Sequence, residues 1–287
     1  MTPADVPDAD RVSDAAYYEL DVRTHRTGWP EPARRSTERS ASWRARIGHV
    51  VRTDPGGCFV AEDAGGVLGM VAGMRRDLTF FLSSLAVLPG VQGRGVGRQL
   101  LDASLAYGAG CLRAMLLASQ DPAALRRYRL AGFTLHPTLL LWGRVPREAL
   151  PVVDRVRDGS AGDIDLMDSV DRQVRDAARG PDHQELLRHY RLVVSDRPTG
   201  SGYVYVDGAG QPYVLAATNR RTAVNLLWEA LAASSPDTPV AVANVTPANE
   251  WAVDVGMACR MELWNHGYLG LRDMRPPVPF LPSGMFL

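Results

Sequence analysis

The sequence contains no lysine; all 32 of its basic residues are arginine. That absence excludes chemistry through a lysine Schiff base and a phosphate loop of the Gly-Lys-Ser/Thr type. A charge surplus is missing too, because 32 acidic residues offset the arginines. A nucleic-acid partner, which calls for clustered excess basic charge, is not expected. No apolar run approaches the roughly 18 residues needed to span a bilayer. Met1 to Asp10 is acidic and polar, without the charged start and apolar stretch of a signal peptide. No membrane partner is expected, and a cytoplasmic location is. Cysteine is scarce: Cys58, Cys111 and Cys259 are far apart in apolar stretches. They make neither a disulfide framework nor a zinc site and read as buried thiols. His183 and His189 do not have a two-histidine zinc spacing, and the other histidines are isolated. No metal site is expected. Without a Gly-x-Ser-x-Gly elbow, a hydrolase triad has no support either.

What remains is globular: 287 residues, 46% hydrophobic and 22% charged. At roughly 100–200 residues per domain this predicts two domains. Helical spacing covers Asp8–Thr24, which Gly28-Trp29-Pro30-Glu31-Pro32 breaks, and Ser36–Val51. A hairpin, Cys58–Glu62 and Val67–Gly73, is followed by a strand at Leu78–Leu88. After a Gly-rich loop come a helix at Arg94–Tyr107, a strand at Leu112–Ala118, a helix at Pro122–Leu130 and a strand at Leu135–Val145. Pro146–Gly162 has linker composition. The second half repeats the order: helices at Asp163–Ala178 and His183–Tyr190, then strands at Leu192–Ser195, Tyr203–Val206 and Pro212–Ala217. A helix at Thr222–Ala233, a strand at Val240–Val245, a helix at Pro247–Val255 and a strand at Met261–Leu271 complete it. The repeat is far longer than a solenoid unit and reads as a duplication. The expected domains are 1–148 and 149–287. The uncharged, Pro-rich tail Pro276–Leu287 is expected to pack across the second.

One segment carries chemistry. In Leu85-Ala86-Val87-Leu88-Pro89-Gly90-Val91-Gln92-Gly93-Arg94-Gly95-Val96-Gly97-Arg98 a strand ends, a Gly-rich loop turns and an amphipathic helix begins. Glycines let backbone N–H groups approach a ligand closely, and a helix start adds partial positive charge. Arg94 and Arg98 add full charge, so the segment suits a phosphate or pyrophosphate. Glycines at 93, 95 and 97 do not form the G-x-G-x-x-G dinucleotide pattern.

Gln92-x-x-Gly95-x-Gly97 after a strand resembles the acyl-CoA loop of the GNAT superfamily of N-acyltransferases. The later stretch Ser119-Gln120-Asp121-Pro122-Ala123-Ala124-Leu125-Arg126-Arg127-Tyr128-Arg129-Leu130-Ala131-Gly132-Phe133 resembles that superfamily's other motif, with its Tyr and Gly-Phe. The match in order and spacing covers residues 8 to 145, without the opening strand usual in the family. The resemblance implies a fold of class α/β (α+β), in two GNAT-like domains, each a mixed, mostly antiparallel sheet flanked by helices. It implies that Leu85, Ala86 and Val87 offer backbone groups to the thioester and pantetheine arm of acetyl-CoA. It places Gln92, Gly93, Arg94, Gly95, Val96, Gly97 and Arg98 around the pyrophosphate. Ser119, Pro122 and Leu125 would line the other side of the cofactor. Tyr128 would protonate the departing thiolate, a role open to any phenol within hydrogen-bond reach; the alternative is a packed aromatic.

Many relatives carry Glu just before the strand's Leu-Ala-Val, where this chain has Ser84. The general base is therefore not assigned; Glu38, Glu62 and Asp77 are candidates, as are a water chain and an amine of low pKa. In the second half the corresponding turn, Ala217-Thr218-Asn219-Arg220-Arg221-Thr222, has no glycine, and Tyr128 corresponds to Ala252 or Val253. That half resembles a degenerate repeat. Its stretch Asp171–Asp176 with Arg179–His183 is read either as facing a shared cleft or as a solvated charged helix. The resulting expectation is an acetyl-CoA-dependent N-acetyltransferase acting on a small amine by direct transfer in a ternary complex. The alternatives are another acyl-CoA, a hydroxyl acceptor, or a non-catalytic acyl-CoA-binding or regulatory protein.

Overall fold

Nearly every expected element is present in the computed structural model, which describes residues 1–27, 29 and 31–287. The expected break at Gly28-Trp29-Pro30-Glu31-Pro32 lies partly outside the described residues. The chain divides into two compact units, one of residues 1–75 and 80–112, the other of 76–79 and 113–287.

The first unit opens with two helices, α1 (Val6–Thr24) and α2 (Thr37–Thr53). Ser36 starts α2 by accepting a hydrogen bond from the Arg39 amide. The buried Asp10 carboxylate joins the pair, taking Arg35 at 2.8 Å and Arg44 at 2.7 Å. Among the described residues no strand precedes α1, in line with the sequence. Strands β1 (Cys58–Asp63) and β2 (Gly66–Arg76) form the expected antiparallel hairpin, from Cys58↔Ala72 to Asp63↔Gly66. Strand β3 (Thr79–Val87) follows, then the loop and α3 (Val96–Tyr107). Gly69 in β2 lets α3 sit close to the sheet; a Cβ there would stand 2.9 Å from Leu100 and 3.2 Å from Val96. Ile47, Val50, Val71, Phe80, Phe81 and Leu101 fill the core between helices and strands.

The second unit holds β4 (Arg113–Ala118), α4 (Pro122–Leu130) and β5 (Thr134–Gly143), followed by the two-residue β6 (Arg157–Asp158). Then come α5 (Ile164–Arg175), α6 (Asp182–Leu187), β7 (Arg191–Arg197), β8 (Gly200–Val206), β9 (Pro212–Ala217) and α7 (Arg220–Ala232). The chain ends with β10 (Val240–Val245), α8 (Glu250–Ala258), β11 (Glu262–Arg272) and the short β12 (Phe280–Leu281). One sheet of this unit runs β4-β11-β5-β10 and the other β12-β9-β8-β7-β6, antiparallel wherever the register is given.

Strand β11, from the second sequence half, pairs with two strands of the first. Tyr268 faces Ala118 and Leu271 faces Met115 on β4, while Leu263 faces Leu141 and Leu269 faces His136 on β5. A cut after residue 148 therefore passes through hydrogen-bonded sheet. Alternation along β8 divides the five-stranded sheet into two faces. Val204 and Val206 join Leu215, Leu226 and Leu227 in an apolar core under α7, whereas Tyr203 and Tyr205 are buried on the other parity. The tail packs as expected: Phe280 and Leu281 pair with Ala216 and Leu215, and Phe286 and Leu287 are buried. Cys58 and Cys259 are the buried thiols foreseen, with burial pushing Cys58 up to about 12, while Cys111 is only half-buried.

Candidate active site

In the first unit, β3 ends at Val87 and the chain turns through Gly90, Gly93 and Gly95, with φ of +83°, +81° and +91°. L-residues pay for that left-handed conformation, so glycine is required at 93 and 95 by the backbone itself. A Cβ built on either one meets nothing within 4 Å, so this turn borders open space on the side where side chains would stand. Gly97 is different. It is part of α3, and a Cβ there makes ordinary contact with Val87 at 3.4 Å. Gly95 is the N-cap of α3 and offers no side chain to the first-turn amides. The Arg98 amide donates to the Gly95 carbonyl at 3.0 Å, which leaves the Val96 and Gly97 amides and the positive helix end as the groups that bind an oxyanion.

Arg94 and Arg98 are exposed on the same turn, and Arg98 has a weak pair with Asp102 at 3.4 Å. Gln92 reaches back, its side-chain amide donating to the Val87 carbonyl at 3.0 Å. It fixes the loop against the strand end and takes one of the backbone acceptors expected to meet the pantetheine arm. Of the strand residues, Ala86 is buried while Leu85 and Val87 are half-buried. This cradle fits the pyrophosphate of a coenzyme A: backbone donors, open space and cationic side chains with a single acidic neighbour.

Ser119, Pro122, Leu125 and Tyr128 belong to the second unit. Asp121 accepts from the Ala123 and Ala124 amides, both at 2.9 Å, and Pro122 fills the first helical position, so α4 starts where the sequence indicates. Ser119 accepts from the Asp121 amide at 3.4 Å. Pro122 is exposed and Leu125 half-buried. Tyr128 is 6% exposed and meets Phe133 edge-on with centroids 6.4 Å apart. The Gly-Phe pair that follows turns the chain back, the Phe133 amide bonding to the Tyr128 carbonyl at 3.1 Å. Tyr128 is thus a rigidly packed ring.

The base candidates fare unequally. Glu38 and Glu62 are exposed. Asp77 has a structural task, pairing with Arg172 at 3.2 Å and accepting the Ala178 amide at 2.9 Å. Ser84 is 6% exposed.

In the second half, α7 starts differently from α3. Asn219 caps it, its Oδ1 accepting from the Thr222 amide at 3.0 Å. Ala252 is buried in the apolar core and Val253 packs against it, so α8 offers no phenol.

The charged stretch of α5 and α6 is not a solvated helix. Asp171, Arg175, Arg179, Asp182 and His183 are all fully buried. Tyr203 donates to Asp171 at 2.7 Å, and Arg179 lies 3.2 Å from the other carboxylate oxygen. Arg76 holds Asp182 through two hydrogen bonds of 2.8 and 2.6 Å. Arg175 donates to the Leu287 carbonyl at 2.7 Å and Arg179 to the Phe286 carbonyl, which ties the tail to the cluster. His183 Nε2 lies 3.4 Å from Asp168 and 3.5 Å from Asp171. Burial favours the neutral imidazole, but the two carboxylates win and raise its pKa. Burial works against the Asp171 anion as well, and Arg179 outweighs it to lower that pKa. Burial also lowers Arg175, to about 10, with Arg179 beside it adding repulsion. Asp168, Asp171 and His183 have ligand atoms within 4.8 Å of one another. Asp171 takes the Tyr203 hydroxyl on one oxygen and the charge of Arg179 on the other.

Residues 15–133 match the model of the acetyltransferase (GNAT) family. That stretch is a GNAT acetyltransferase domain. The chain is accordingly an acyltransferase. No curated protein matches it in sequence. Among solved structures it is similar to a Pyrococcus horikoshii protein classed as an acetyltransferase, with a TM-score of 0.74 at 15% identity, over 100% of this chain and 93% of that one. A GCN5-related N-acetyltransferase from Sphaerobacter thermophilus gives 0.57 at 15% identity over 99% and 97%. A tandem GNAT protein from the clavulanic acid biosynthesis pathway gives 0.53 at 16% over 94% and 96%. At such identities these similarities speak for the fold, a GNAT-like α/β architecture extending over the whole chain. Among the described residues no helix is long and apolar enough to cross a membrane.

Proposed function

We propose that the chain transfers an acetyl group from acetyl-CoA to a small amine, by direct attack within a ternary complex. The observation that carries this reading is the start of α3, where positive-φ glycines bordered by open space lead into a helix whose cap has no side chain to take up the Val96 and Gly97 amides. Gly93 to Arg98 bind the pyrophosphate, Gln92 holds the loop, and Leu85, Ala86 and Val87 line the pantetheine arm. Ser119, Pro122 and Leu125 complete the cofactor contacts. The amine attacks the thioester carbonyl, the C–S bond breaks, and Tyr128 gives its proton to the departing sulfur. The proton shed by the amine leaves to solvent, from which Tyr128 takes one back, which fits Ser84 in place of a carboxylate. The two sequence halves are two repeats, 1–148 and 149–287, of which the second has lost its cofactor loop and its phenol. The enzyme works in the cytoplasm on small molecules, not on nucleic acid.

Mixing the protein with acetyl-CoA and a panel of amines, and following free thiol, tests this. Thiol release that depends on one of the amines is expected. Coenzyme binding without release for any amine would favour the non-catalytic acyl-CoA-binding alternative.

A further inference from the structure

A cavity of about 140 Å³ opens where the β7–β8 hairpin meets the start of α7, entirely within the second unit. Arg155, Arg197 and Arg221 line it, together with Ser195, Thr222 and Asn225, and no carboxylate does. Arg155 is paired with Asp154 at 3.1 Å. The side chains of Arg197 and Arg221 are exposed and have no ion pair or hydrogen bond among the described residues. Like charges lining one cavity repel, and this pair has no acidic neighbour there to offset it. The Thr222 residue is 8% exposed, and its hydroxyl has no hydrogen-bond partner among the described residues. It is aimed at Gly200, another wall of the cavity, where an added Cβ would lie 2.4 Å from it. The positive end of α7 faces the same place.

We propose that this cavity binds a single phosphate group, free or as the ester of a small metabolite. Size and chemistry both select it. The space corresponds to about four or five waters, which suits one phosphorus with its oxygens. Guanidinium groups match phosphate oxygens in geometry as well as in charge. The binding differs in kind from that of the Gly93–Arg98 loop. Here the Asn219 side chain already occupies the Thr222 amide, so recognition passes from backbone amides to side chains. Arg197 and Arg221 supply the charge and Thr222 a hydroxyl donor. The site stands independently of the acetyl-transfer reading, since no residue of the proposed donor site takes part in it.

Calorimetric titration of the full chain with inorganic phosphate, and separately with glucose 6-phosphate, tests the proposal. Saturable binding of at least one is expected; the tighter of the two tells free phosphate from a phosphate ester. Each arginine–phosphate hydrogen bond is expected to contribute about tenfold in affinity. R197Q/R221Q should therefore weaken binding about a hundredfold, and T222V several-fold. The arginines are exposed, so the variants fold, and unchanged coenzyme A binding in the same samples serves as the control. Absence of saturable phosphate binding by the wild type would overturn the proposal, as would equal affinity in R197Q/R221Q.

Discussion

Asn219 accepts a hydrogen bond from the Thr222 amide at 3.0 Å and so closes the first turn of α7 with a side chain. Gly95, at the start of α3, has no side chain with which to do so. The amide three residues past the cap is thus held in both helices, by the Asn219 side chain in α7 and by the Gly95 carbonyl in α3, where Arg98 donates at 3.0 Å. Only α3 has a cap without a side chain, so that a ligand meets backbone there and side chains at α7. That contrast carries the division of labour proposed here.

The loop glycines are expected to differ in importance. Gly95→Val places a β-branched residue at φ +91° and fills the space beside the amides. It should abolish coenzyme A binding while the fold persists. Gly97→Ala needs no unusual φ and meets Val87 only at 3.4 Å, so it should bind coenzyme A far better than the Gly95 variant. Calorimetry on both variants checks the order; equal affinities would mean that the φ-restricted turn is not the cradle.

Tyr128→Phe keeps the packed ring against Phe133 and removes only the hydroxyl. Turnover should fall by about 10²–10⁴-fold, the range for a positioned general acid, with coenzyme A affinity nearly unchanged. Steady-state kinetics with an active amine and binding measurements together decide it. A parallel loss of both would assign Tyr128 to packing, and wild-type turnover would remove it from the reaction.

The buried cluster makes a stability prediction. Asp171→Ala leaves Arg175 and Arg179 buried without their shared carboxylate. Removing one partner of such a pair costs about 3–5 kcal/mol. Denaturant unfolding should show this loss, accompanied by easier proteolysis of the 276–287 tail that the same arginines hold.

His183 gives the cluster a pH dependence with a definite sign. Its pKa in the folded protein is raised above the ordinary 6.5. The stabilisation it contributes is therefore fully present below the unfolded pKa and is lost as pH rises through the folded value. Thermal unfolding from pH 6 upward should show this decline in the wild type, and His183→Gln should flatten it. An unchanged slope in the variant would place the titration elsewhere.

Much of this was legible in the sequence because local signals were strong. Asp121-Pro122 marks the start of α4 with a cap and a first-position proline, and the structure begins the helix there. The glycines at 93 and 95 likewise announced a turn that only they can make. What escaped was long-range. Nothing in Met261–Leu271 says that this strand lies between β4 and β5, since pairing partners leave no mark on alternation. The charges of α5 look like a solvated face because a buried ion network has the same composition as an exposed one. Only Tyr203, Tyr205 and the returning tail make it an interior. Arg155, Arg197 and Arg221 are dispersed in the chain and meet through sheet topology, beyond the reach of any local motif.

The most direct test of the account is the stoichiometry of coenzyme A, measured by calorimetry on the wild type and on Gly95→Val. The account predicts one site per chain, lost in the variant. Two equivalent sites in the wild type, or a site that survives Gly95→Val, would contradict it.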